Sequence, residues 1–328
     1  MRRANKIAPE WRVWIAENLA RGASKERIHD ALRRQRVPAR DIADAMNELE
    51  ASPALEAARR LAVAARRHEL MCTLHNTLLR TRKAPQKIER RAGVGATELL
   101  ERYYATNTPV VLTDWVTKWP ALTKWTPEHL AERVGGAWID VTTDRERDPD
   151  YDMHTTQHTT RVRLRDFVDR IRKNPRSNDF YAVAQNRNID RKALAPLWKD
   201  VRLDRRVFSS RTKGGAALWL GPAGTVTPLH HDTSNIFFAQ LHGRKRFLLA
   251  SPHETSLWDG ARGFYAKGPP EAFPSVLFSK AELRPGDALF LPVGWWHHVE
   301  ALDVSISFAL TCFTRPNWLD WYRPTHLR

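Results

Sequence analysis

The chain has 328 residues, enough for one large domain or for a core domain with an accessory one. Hydrophobic residues make up 42% and charged residues 27%, no apolar run is long enough to cross a bilayer, and the N-terminal MRRANKIAPEW lacks the apolar stretch of a secretory signal, so membrane-spanning and secreted classes are not expected. The two cysteines, Cys72 and Cys312, form no zinc-type pair, which makes a reducing cytoplasm the expected compartment, and the net charge of +16 either favours polyanionic partners such as RNA or the ribosome or reflects a basic surface without function.

Residues 1–85 read as an N-terminal helical region. Trp11, Ile15 and Leu19 recur at helical spacing, and Gly22 is the expected stop. Ser24 can cap a second helix carrying Ile28 and Leu32, and Pro38 opens a third with Ile42 and Met46 on one side. A longer alanine-rich helix is predicted from about Pro53 to Leu79. The three short helices suit either a small bundle or a helix-turn-helix reader of DNA, and the bundle is the favoured reading. Arg80–Arg90, with Arg82, Lys83, Pro85, Lys87 and Arg90, reads as a linker or exposed strap.

Residues 86–328 form the expected second domain. Ala96–Tyr104 and Pro127–Val134 read as helices, Thr108–Thr113 and Ala137–Thr142 as strands, Val162–Lys173 as an amphipathic helix and Phe180–Ala184 as a strand. Beyond Val207 strands dominate: Ala216–Leu220, Ile236–Leu241, Arg246–Ala250, Ala288–Leu291 and Ser305–Thr311, separated by Gly, Pro and Asp turns. Such spacing argues for a sandwich or barrel over a parallel α/β sheet. Trp318, Trp321 and Tyr322 are read as a C-terminal helical tail, and a homodimer through it is a reasonable expectation.

The chemistry concentrates in Gly224-Thr-Val-Thr-Pro-Leu-His-His-Asp-Thr-Ser-Asn235. In an extended segment residues i and i+2 point to the same side, so His230 and Asp232 can aim into one pocket while His231 points away. A third ligand must come from elsewhere, and Leu291-Pro-Val-Gly-Trp-Trp-His-His-Val299 supplies two candidates. Two histidines and one carboxylate on one face of a metal leave the opposite positions open, as non-haem iron(II) oxygenases require. A buried lysine on the strand after this motif can neutralise a dicarboxylate. The acidic run Asp144, Glu146, Asp148, Asp150 and Asp152, with His154 and His158, has no spacing that fixes a geometry and reads as an exposed loop. His231, His242 and His298 read as ordinary strand histidines, and Trp295 and Trp296 as core and pocket wall.

The stretches GPAGTVTPLHHDTSN, FFAQLHGRKRF and PGDALFLPVGWWHHVEAL resemble the JmjC-type, cupin-like oxygenases, most closely the asparaginyl-hydroxylase subgroup and its bacterial relatives. The resemblance covers roughly residues 95–315, including the earlier Tyr104–Trp115 and the Trp119-Pro-Ala-Leu that follows. It implies an α+β, mainly β fold, with a double-stranded β-helix (jelly-roll or cupin) core behind the helical region. It also implies His230, Asp232 and His297 as ligands of Fe(II), with His298 the residue passed over. Thr227 and Lys245 would hold the distal carboxylate of 2-oxoglutarate. Asn235 would meet the metal-side carboxylate, although it sits one position closer to the His-x-Asp motif than in the best-known asparaginyl hydroxylases. Tyr181 would be a further contact or a core tyrosine.

The implied reaction uses O2 and converts 2-oxoglutarate to succinate and CO2 while hydroxylating a substrate. A protein or peptide side chain is the first reading. A tRNA base or ribosomal component is the second, and a non-enzymatic binding fold the third. Lysine demethylation is weaker, because the carboxylate ligand is Asp where the demethylase branch commonly carries Glu.

Overall fold

The computed structural model describes residues 7–81, 87–260 and 262–317. The chain divides into two compact units, Met1–Leu79 and Arg80–Arg328. The first is helical: α1 (Pro9–Ala20), α2 (Lys25–Arg34), α3 (Ala39–Glu50) and α4 (Pro53–Arg80), whose last residue belongs to the second unit. Proline at the first turn opens α1, and Gly22, at φ +83°, follows its end. The Ser24 hydroxyl accepts the Arg27 N–H at 3.4 Å and caps α2. Ile15, Leu19, Ile28, Leu32, Ile42 and Met46, spaced for one face of each helix, close with Leu55 on a core of their own. The structure thus shows the small bundle.

The first strand of the second unit is β1 (Glu89–Arg91), which overlaps the end of the stretch Arg80–Arg90 read as a linker. α5 (Ala96–Glu98) runs into a π-helical turn, Leu99–Tyr104, and β2 (Val110–Leu112), α6 (Pro120–Lys124) and α7 (Pro127–Val134) follow. Then come β3 (Trp138–Thr142), β4 (Thr159–Arg163) and α8 (Leu164–Lys173). The amphipathic run from Val162 therefore starts as the end of a strand. Phe180–Ala184 is no regular strand: it makes single bridges from Tyr181 to Thr142 and from Ala182 to Leu220, one on each side. The remaining strands are β5 (Ala216–Gly221), β6 (Val226–His230), β7 (Ile236–His242), β8 (Lys245–Ala250), β9 (Ser279–Leu283), β10 (Ala288–Leu291), β11 (Trp296–Ala301) and β12 (Ser305–Leu310).

These strands form a six-stranded sheet in the order β1-β2-β10-β7-β12-β5, a four-stranded sheet in the order β6-β11-β8-β9, and the β3-β4 pair. The sequence led us to expect a mainly β, double-stranded β-helix core, and the structure corrects this. Among the described residues no sheet closes into a barrel: β1 and β5 remain edges of the larger sheet, β6 and β9 edges of the smaller. The unit is a mixed α+β domain. Closure needs the first and last strands to pair, and strand alternation specifies which face a side chain takes, never which edges meet.

The period-two pattern is fully used. On β7, Phe237, Ala239 and Leu241 join one large core with residues of α5, α6, α7 and α8, while Phe238 joins a second core with Phe247, Leu249, Ala281, Leu283 and Val299 of the smaller sheet. The larger sheet is therefore apolar on both faces. Phe308 sits at the helix-covered face, with its ring centroid 5.3 Å from Trp198, 5.8 Å from Trp125 and 6.2 Å from Trp119. Truncation to Phe308→Ala is expected to cost about 3–5 kcal/mol of stability, because three indoles cannot collapse into the void. Urea denaturation followed by tryptophan fluorescence measures it, and a loss below about 1 kcal/mol would contradict this packing.

Candidate functional site

β6 and β11 are antiparallel neighbours, and their register sets His230 directly opposite His297. Directly opposed residues bring their Cβ atoms within about 5 Å, and here the imidazole centroids lie 4.1 Å apart. Each ring is turned by its own backbone. His230 Nδ1 lies 2.7 Å from the Pro228 carbonyl, and His297 Nδ1 lies 2.9 Å from the Trp295 carbonyl. With Nδ1 turned to a carbonyl, Nε2 of each ring faces inward and is the atom that could offer a lone pair to a metal. Asp232, two residues beyond His230, completes the group: its Oδ2 is 3.4 Å from His297 Nε2 and 3.9 Å from His230 Nε2. The loop before β11 is tied to it by the Gly294 N–H donating to the Asp232 carbonyl at 3.0 Å. Among the described residues these form the one group of histidine, cysteine and carboxylate side chains whose ligand atoms converge, all within 4.8 Å of one another.

Protonation suits a metal. Burial, and then the neighbouring His297, hold His230 below its ordinary value, so its imidazole is neutral. Burial opposes ionisation of Asp232, but the His297 hydrogen bond and the adjacent histidines outweigh it and keep the carboxyl below its usual range. Two imidazoles and one carboxylate are the donor set for a divalent transition ion such as Fe(II). His231 points elsewhere, its ring edge-on to Trp296 at 4.7 Å and to Phe264 at 5.7 Å. His298 lines a different cavity of about 470 Å³.

The triad lines a cavity of about 760 Å³ that also holds Thr227 and Lys245. Lys245, 1% exposed, lies at the start of β8 among Trp219, Phe238 and Tyr181. Its Nζ donates to the Tyr181 hydroxyl at 2.6 Å. Among the described residues no carboxylate pairs with Lys245, and burial lowers its pKa to about 7. The Tyr181 ring occupies space that a Cβ on Gly221 would enter, at 2.5 Å, so glycine is required there. Asn235 is held differently from the other predicted residues. Its Oδ1 accepts the Val293 N–H at 3.0 Å, its Nδ2 donates to Asn317 Oδ1 at 2.8 Å, and it does not line the cavity.

Three contributors were not found in the sequence. Tyr265 stacks on His230, with centroids 5.6 Å apart, and its hydroxyl donates to the Asp152 carbonyl at 3.2 Å. Asn317 clamps both the backbone and the side chain of Asn235. Arg145, from the acidic run, is buried, donates to the Val226 carbonyl at 2.6 Å and packs over Tyr151, so it anchors the start of β6. No local pattern marks these residues, since each acts across a long stretch of chain. Within that run Asp148 Oδ2 sits between His154 and His158 at 2.7 and 2.9 Å, and Arg262 pairs with Asp150.

Comparison with known proteins matches the family model described as "Cupin-like domain" to residues 96–261 and 266–313. Among curated proteins the chain is similar to "Jumonji C domain-containing protein 5" of Drosophila melanogaster, 31% identical over 232 residues, or 64% of this chain and 56% of that protein. It is also similar to "Lysine-specific demethylase JMJ30" of Arabidopsis thaliana, 30% identical over 242 residues, 68% of this chain and 54% of that protein. "HSPB1-associated protein 1" of Bos taurus is 28% identical over 230 residues, 61% of this chain and 47% of that protein. The chain spans about half the length of these relatives.

The buried Lys245 has a consequence for stability. Below pH about 7 the folded chain carries its charge out of water, whereas above the unfolded value of 10.5 both states are neutral and the penalty is gone. Lys245→Met is therefore expected to be more stable than the parent at pH 6, by on the order of a few kcal/mol, with the advantage shrinking as pH rises from 7 toward 10.5. Denaturation midpoints of the metal-free proteins across that range test it; a pH-independent difference would refute the buried charge.

Proposed function

We propose, from the premise that the chain belongs to the cupin-like domain family, that it is an Fe(II)- and 2-oxoglutarate-dependent oxygenase that hydroxylates a protein or peptide side chain. The observation that carries this reading is the convergence of His230, Asp232 and His297, with both Nδ1 atoms already committed to carbonyls, in a cavity that also holds a buried lysine. When bound, iron together with 2-oxoglutarate and O2 supplies oxidising power for C–H hydroxylation, and the co-substrate leaves as succinate and CO2.

The protein's part is placement. The three side chains would hold the metal at the cavity wall, where the cavity could receive co-substrate and O2. Lys245 answers the far carboxylate, with Thr227 in the same cavity and Tyr181 steering the ammonium. Indole and phenyl walls at Trp219 and Phe238 exclude water from that pair and strengthen it. No side chain is needed as a general acid or base.

The similarity to a protein named as a lysine-specific demethylase supports a second reading, hydroxylation of an N-methyl carbon with release of formaldehyde. Incubation with Fe(II), ascorbate, 2-oxoglutarate and an N-methyllysine peptide, with succinate and formaldehyde measured together, separates the two. Iron-dependent succinate lost in His230→Ala/Asp232→Ala is expected. Absence of both succinate and iron-dependent 2-oxoglutarate binding would leave a binding module instead.

Lys245→Met is expected to raise the KM for 2-oxoglutarate by about thirtyfold or more, since the dicarboxylate loses a buried charge partner. Dicarboxylate binding also restores the charge on Lys245, so the complex takes up a proton that the free protein lacks above pH about 7. Affinity for 2-oxoglutarate should therefore fall by up to about tenfold per pH unit above that value. Calorimetric titrations in buffers of different ionisation enthalpy read this uptake; equal apparent enthalpies would refute it.

A further inference from the structure

The mouth of the triad cavity is strongly cationic. Of the described residues that line it, Arg187, Arg211, Lys213 and Arg315 are exposed, whereas the carboxylates are only Asp190 and Asp232. Asp232 belongs to the triad. Asp190 is consumed, with Oδ2 accepting from Arg187 at 2.9 Å and Oδ1 accepting the Gly214 N–H at 3.0 Å. Arg211, Lys213 and Arg315 therefore make no ion pair among the described residues.

This rim is built on a pinned scaffold. The loop carrying Arg211 and Lys213 is held at one end by the Ser209 N–H on the Cys312 carbonyl at 2.7 Å. At the other end the Thr311 N–H donates to the Gly215 carbonyl at 2.8 Å, and Asp190 fixes Gly214 between them. Arg315 follows β12 on the same rim. Elsewhere on this unit Arg161 is answered by Asp140, Arg244 by Asp303 and Arg246 by Glu300, whereas the rim cations share one opening with no carboxylate left to answer them. Several unanswered charges converging on one opening produce a field that attracts and orients an anionic ligand.

We propose that the segment presented to this cavity is an acidic peptide, with carboxylates flanking the residue that reaches the triad. The proposal rests on the oxygenase reading for what happens at the triad, while the recognition itself needs only the rim. A peptide fits better than a nucleic acid because the cavity behind the rim is walled by Trp219, Ile236, Phe238 and Val299. An apolar passage receives one side chain while its neighbours stay on the charged rim.

The test measures fluorescence anisotropy of a labelled glutamate-rich peptide on the full chain. Glutamine-rich and lysine-rich peptides of equal length, and a single-stranded RNA of matched charge, serve as competitors. The expected result is selective binding of the glutamate peptide, weakened by salt and weakened about tenfold by Arg211→Glu/Lys213→Glu. A control reversal on α8, Arg172→Glu/Lys173→Glu, makes the same change in net charge away from the cavity and should have little effect.

Equal weakening by both reversals would overturn the proposal, as the total charge would then suffice. So would equal binding of the glutamine peptide, or RNA that binds more tightly and displaces the peptide. His230→Ala/Asp232→Ala separates the two readings, because it should keep peptide binding while losing succinate formation. A parent that selects the glutamate peptide but neither forms succinate nor binds 2-oxoglutarate in an iron-dependent way supports the rim and sinks the oxygenase. A parent that forms succinate without selectivity sinks only the rim.

Discussion

The antiparallel pairing of β6 with β11 is the constraint on which the site depends. It brings together residues separated by most of the strand-rich half of the chain and sets His230 against His297. A slip of β6 by one residue would turn the His230 imidazole to the opposite face, away from His297. Several contacts oppose such a slip. Arg145 grips the start of β6 through the Val226 carbonyl, Gly294 donates to Asp232 at the other end, and Asn235 ties the same loop to Val293. The register of β11 shifts between His297 and Val299, a local irregularity directly beside the ligand, where strands are commonly re-aimed.

Around this pair the protein spends stability to obtain chemistry. Lys245 is sealed in an apolar box with a single hydrogen bond to Tyr181 and no carboxylate partner among the described residues. Desolvation of that kind is costly, and buried titratable groups of this kind cluster at functional sites. The tyrosine that receives the ammonium is itself accommodated only because Gly221 has no side chain. The surrounding core compensates: Phe237, Phe238, Phe247 and Phe308 are all buried on the faces of the two sheets.

Charge is organised on two scales. The net +16 says little about where the cations lie, and many are neutralised locally by ion pairs. The unpaired ones at the cavity mouth are distinct because the carboxylate that could answer them is already held by Arg187 and Gly214. No helix among the described residues is long and apolar enough to cross a membrane. The expected C-terminal helix at Trp318, Trp321 and Tyr322, and a dimer through it, lie outside the described residues.

Local pattern determined a good deal by itself. Helical spacing placed α1, α2 and α3, an alanine-rich run placed α4, and short runs between Gly, Pro and Asp turns placed β5, β7, β8, β10 and β12. The i, i+2 rule put His230 and Asp232 on one side and His231 on the other, which the structure shows. The choice of His297 over His298 was legible only through resemblance to a family, whereas a lysine on the strand after the motif was already read from the residues. Tertiary structure alone decided the rest: open sheets where closure was expected, Phe180–Ala184 as a bridge between neighbours, Asn235 bound to Asn317, and Tyr265 stacked on His230. Periodicity constrains a side chain's direction relative to its own backbone, whereas edges, partners and enclosure are properties of pairs of distant segments, on which no local spacing bears.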